Sequence, residues 1–75
     1  MKLTPKQVRD TPYGPQLMAL IHKAGGHVVI GNAAKPLFHA LVEDEVGGYE
    51  HCADGANPWS ALRKAALAWA KADER

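Results

Sequence analysis

Apolar positions recur along this chain in two rhythms. Leu17, Leu20, Ile21 and Ala24 fall at spacings of three, four and seven. They make one apolar helical face that begins at Pro15 and that Gly25-Gly26 ends. Trp59, Leu62, Ala65, Ala66 and Trp69 occupy about a third of a helical wheel, with Lys64, Lys71 and Arg75 opposite them. Both tryptophans are expected to anchor this last helix on a sheet, and Leu67 falls outside its core stripe as a candidate exposed contact. Thr4-Pro5 and Asn57-Pro58 each read as a capping side chain followed by proline at the first helical position. A short first helix should therefore run from Pro5 and stop near Asp10, before the breaker cluster Thr11 to Pro15.

Between the helices the rhythm changes to two. Val28-Val29-Ile30 is a β-branched run bounded by Gly31-Asn32. From Leu37 to Asp44, Phe38, Ala40 and Val42 alternate with Leu37, His39, Leu41 and Glu43. A helix begun at Pro36 would also group apolar residues, but Gly47-Gly48 before Tyr49 reads as a hairpin turn and favours a strand. A two-residue turn there pairs Val46 with Tyr49, Asp44 with His51 and Val42 with Ala53. One face then carries Phe38, Ala40, Val42, Val46, Tyr49 and Ala53, and the other His39, Glu43, Glu45, Glu50, Cys52 and Asp54. The predicted fold is α+β: an N-terminal helix, a small antiparallel sheet of two or three strands, and a C-terminal helix. Both helices should cover one sheet face through Leu17, Leu20, Ile21, Trp59, Leu62 and Trp69, with Phe38, Val42 and Tyr49 meeting them.

At 75 residues the chain reads as one small domain, 1–75, and its 47% apolar content is enough for a core. A single cysteine forms no internal disulfide, and no apolar run approaches the ~20 residues of a membrane span. No leader segment is expected either, since no short apolar stretch follows a basic start. The net charge of +1 conceals a division. Residues 1–35 set Lys2, Lys6, Arg9, Lys23 and Lys35 against Asp10 alone, and residues 56–75 are also net basic. Residues 36–55 hold Glu43, Asp44, Glu45, Glu50 and Asp54 with no Lys or Arg. These five carboxylates are the candidate partner-binding face, suited to a basic surface.

The remaining chemistry is sparse. His51 and Cys52 are adjacent and would point to opposite strand faces, and Gly25-Gly26 separates His22 from His27, so no metal site is expected. Cys52 with His39 or Asp54 nearby is a conceivable nucleophile, yet nothing in the sequence supplies an oxyanion hole or a substrate cleft, and no phosphate-cradling glycine motif occurs. The expectation is a protein that is not an enzyme and uses no cofactor.

Two resemblances bear on function. Helix, three strands and helix is the order of the double-stranded RNA-binding domain, and the stretch Gly55 to Ala66 is similar to that family's closing segment. Its phosphate-gripping lysines would fall at Pro58, Trp59 and Leu62, none of which can hold a phosphate. Thr11-Pro12-Tyr13-Gly14-Pro15 with the following Leu-x-x-Leu-Ile helix to Gly26, and Ala53 to Leu67 with its alanine-rich helix, resemble small bacteriophage proteins with the phage ABA sandwich domain. That family usually places a second amphipathic helix in its middle, where Ala33 to Val46 here reads as turn and strand. The resemblance implies a phage or prophage accessory protein in the bacterial cytoplasm that binds and blocks host machinery, including nucleic-acid-dependent defence complexes with basic channels. The alternative is a nucleic-acid-binding domain using Lys2, Lys6, Arg9, Lys23, Arg63, Lys64 and Lys71. A free sheet edge also leaves room for homodimerisation by strand addition.

Overall fold

Thr4 starts the first helix as its sequence suggests. The Gln7 amide donates to Thr4 Oγ1 (3.2 Å) and the Thr4 amide donates to Gln7 Oε1 (2.9 Å), a reciprocal cap over α1, Pro5–Asp10. The computed structural model describes residues 3–32, 37–44 and 50–72. After α1 come α2 (Gly14–Lys23), β1 (Gly26–Asn32), β2 (Phe38–Asp44), β3 (Glu50–Gly55) and α3 (Pro58–Ala72). Gly25 turns the chain out of α2 at φ +88°, a conformation that a side chain would resist. Among the described residues no helix is long and apolar enough to cross a membrane.

The three strands form one antiparallel sheet in the order β1-β2-β3, and the segment read as either strand or helix is strand β2. Helices α2 and α3 lie on one face of it. Leu17 and Ile21 of α2 and Ala61, Leu62, Ala65, Ala66, Trp69 and Ala70 of α3 are buried with Ala40 and Val42 of β2. Leu3 and Val8 extend the same core beneath α1. The fold is therefore α+β, as the alternation of rhythms predicts.

Three particulars differ from the sequence reading. The β2–β3 register is Glu43↔Glu50, Val42↔His51, Leu41↔Cys52 and Ala40↔Ala53, two residues away from the expected pairing of Val42 with Ala53 and Asp44 with His51. A two-residue shift keeps every side chain on its own face, so apolar segregation cannot tell the two registers apart. The proposed Gly47-Gly48 turn, with Val46 and Tyr49, lies outside the described residues. Trp59 does not anchor α3 on the sheet: it is 41% exposed, and its ring lies over Gly14 at the start of α2. Leu67 is half-buried against the core rather than an exposed contact. The displacements of Trp59 and Leu67 have one cause. Helix α3 packs on α1 and α2 as well as on the sheet, so its apolar surface serves two sets of neighbours.

Candidate partner-binding face

The helices cover one side of the sheet and leave the other open. Strand alternation together with the pairings β1–β2 and β2–β3 arranges the open side in three cross-strand rows. The middle row is Val29–Leu41–Cys52, with Val29 50% exposed and Cys52 exposed. One flanking row is His27–Glu43–Glu50 and the other is Gly31–His39–Asp54. No Lys or Arg stands on these nine positions.

The sequence-predicted carboxylates divide among these surroundings. Glu43, Glu50 and Asp54 share the open face. Glu43 stands directly opposite Glu50, a cross-strand like-charge contact that weakens the sheet slightly and concentrates negative potential. Asp54 is partly compensated, because its Oδ1 lies 2.7 Å from His39 Nδ1 on the neighbouring strand. About half of each of these two side chains is exposed, so the contact orients more than it stabilises.

Asp44 does not belong to that face. It is on the helix side of β2, half-buried, and its Oδ1 accepts a hydrogen bond from Trp69 Nε1 at 2.8 Å. Gly26 stands opposite Asp44 on β1, and a Cβ there would lie 2.9 Å from the Trp69 ring and 2.6 Å from Ile21. Glycine at this position thus makes the space in which the indole reaches the carboxylate. Glu45 lies outside the described residues.

Two basic side chains of the second reading are engaged with backbone. Arg63 Nη2 donates to the carbonyls of Pro12 (2.7 Å) and Thr11 (3.3 Å), tying α3 to the α1–α2 turn. Lys64 Nζ donates to the Asp54 carbonyl at 3.2 Å. Of the three positions that would grip phosphate in the RNA-binding fold, Leu62 is fully buried and Trp59 lies on Gly14. Among the described residues no three His, Cys, Asp or Glu side chains are grouped to hold a metal ion.

The sequence reading missed the apolar middle row. Its signal was present, since Val29 must oppose Val28 and Ile30 across strand β1, but joining Val29 to Leu41 and Cys52 needs the pairing of all three strands. An open sheet face with an apolar centre and carboxylates on either side can exclude water at its middle while selecting a cationic rim. Comparison with family models, with curated proteins and with solved structures finds no match to this chain.

Proposed function

We propose that this chain is a non-enzymatic protein-binding module that docks a basic protein surface on its open sheet face. The observation that carries the reading is the row Val29–Leu41–Cys52 between Glu43 and Glu50 on one side and Asp54 on the other. The apolar row supplies area that gains from losing water, and the carboxylates steer a cationic partner into register. The resemblance of residues 11–26 and 53–67 to phage ABA sandwich proteins supports a phage-type accessory role. In that role the partner is a host protein or protein–nucleic acid complex with a basic surface, and binding blocks it.

The double variant Glu43→Gln, Glu50→Gln tests this reading. Captured from a bacterial lysate at low salt, partners with basic surfaces should be enriched on the wild-type chain and depleted on the variant. For a purified partner, the variant should associate more slowly, and the difference should shrink as salt rises, because screened surface charges act mainly on encounter rate. Unchanged partner affinity at low salt would remove the acidic-face reading.

The element order supports a second reading as a nucleic-acid-binding domain, since α2, β1–β3 and α3 follow the sequence of elements in double-stranded RNA-binding domains. Its cations would be Lys2, which lies outside the described residues, with Lys6, Arg9, Lys23 and Lys71, while Arg63 and Lys64 are drawn partly toward backbone carbonyls. A gel shift with duplex RNA and DNA over a salt series separates the two. Salt-sensitive retention, strengthened by the double Gln variant, would favour the second reading.

A further inference from the structure

We propose that the free edge of β1 pairs, antiparallel, with β1 of a second copy of this chain, about a two-fold axis through Val29. The sheet has two edges, β1 and β3, and they are not equivalent. Strand β1 pairs with β2 along all seven residues, Gly26 to Asn32, and among the described residues no strand pairs with its other side. An unpaired row of backbone donors and acceptors invites strand addition unless charge, proline or a bulge guards it. The sequence Gly26-His27-Val28-Val29-Ile30-Gly31-Asn32 contains no Lys, Arg, Asp, Glu or Pro. Strand β3 is guarded, because a matched antiparallel pairing of two β3 strands about Cys52 would set Glu50 against Asp54 at both ends.

The side chains select the register as well. Two copies keep their helices on the same side of a joined sheet only if residues of matching face meet, and a one-residue slip would invert one copy. The pairing centred on Val29 meets that condition and uses the whole strand. It sets Val28 against Ile30 of the second copy, and both are half-buried apolar residues on the helix side. On the open side it sets His27 against Gly31 and the half-exposed Val29 against itself. The apolar row then runs unbroken as Cys52–Leu41–Val29–Val29–Leu41–Cys52 across six strands. The two-fold axis also aligns the Glu43–Glu50 row of one copy with the His39–Asp54 row of the other, so Glu43 and Glu50 do not meet their own counterparts.

The test uses the full chain and does not depend on any external partner. Light scattering or sedimentation over a wide concentration range should show a monomer–dimer equilibrium. Val29→Lys places two cations directly opposite each other at an already exposed site and should weaken self-association about tenfold or more, with an unchanged circular dichroism spectrum. Val29→Cys combined with Cys52→Ser should form a covalent dimer with a short bis-maleimide reagent, one thiol adding to each maleimide. The wild-type chain should not, because five strand spacings put its two Cys52 residues roughly 24 Å apart. A monomer at every concentration would overturn the proposal. So would a dimer that Val29→Lys leaves intact, or one that the reagent fails to link in the Val29→Cys, Cys52→Ser chain.

Discussion

Asp44 and His51 are neighbouring polar side chains on the helix-covered side of the sheet, and their circumstances are opposite. Asp44 has a donor, Trp69 Nε1 at 2.8 Å, whereas His51 Nε2 is buried without a hydrogen-bond partner among the described residues. Replacing Trp69 by Phe should destabilise the fold by about 2 kcal/mol, since a charge-assisted bond is lost and a gap opens beside Gly26. Asp44→Asn keeps an acceptor oxygen at the same place and should cost less than about 1 kcal/mol, both values read from urea melts. His51 stands opposite Val42, which is fully buried. His51→Leu removes an unpaired polar atom from that environment, so stability should hold or rise by up to about 1 kcal/mol. A clear loss on the thermal melt would mean that the imidazole has a stabilising role in the core.

Among the elements, α3 has the most to hold together. The Ser60 amide donates to Asn57 Oδ1 at 2.8 Å and the Ala61 amide to the Asn57 carbonyl at 3.2 Å, closing the first turn behind Pro58. That turn follows β3 after only Ala56 and Asn57, so the cap also sets the angle at which the helix crosses the sheet. Asn57→Ala should cost about 1 kcal/mol, as for helix caps generally, and Asn57→Ser should recover most of it. Hydrogen exchange should place the earliest opening at the start of α3 in the Ala variant, whereas equal protection throughout would contradict a local capping role. The strands follow a different logic. Their alternation is legible residue by residue, but a helix would also group the apolar residues of Leu37 to Asp44, and the strand choice there rests on the turn signal of Gly47-Gly48 before Tyr49. Their register is not legible, because the observed pairing and the expected one differ by a full side-chain period.

At the scale of the molecule, charge is separated by layer as well as along the chain. The open sheet face carries Glu43, Glu50 and Asp54 with two histidines, while Lys23, Arg63, Lys64 and Lys71 belong to the helical layer. Acidic groups gathered for a partner repel one another in the free protein. Glu43→Gln with Glu50→Gln should therefore melt at the same temperature as the wild type or slightly above it, and added salt should narrow the difference. A marked drop in melting temperature would place these carboxylates in the fold's own stabilisation and remove the argument that they are held for binding.

Much of this molecule was determined locally, and the reason is physical. Caps at Thr4 and Asn57, the breaker after Asp10, the glycine exit from α2 and the two hydrophobic periods all act within a few residues, so the sequence by itself determined the elements and their faces. It also placed Glu43, Glu50 and Asp54 together, because side chains alternate in strands and the observed register differs from the expected one by a full period of two. Tertiary structure alone decided how far one strand slides along the next. It also decided that Asp44 turns inward to Trp69 and that Trp59 leaves the sheet for Gly14. Those outcomes depend on groups 25 and 45 residues apart in sequence, brought together when the helices settle on one face. The row Val29–Leu41–Cys52 is of the same kind: each strand contributes one residue to it, and only the paired sheet makes it a surface.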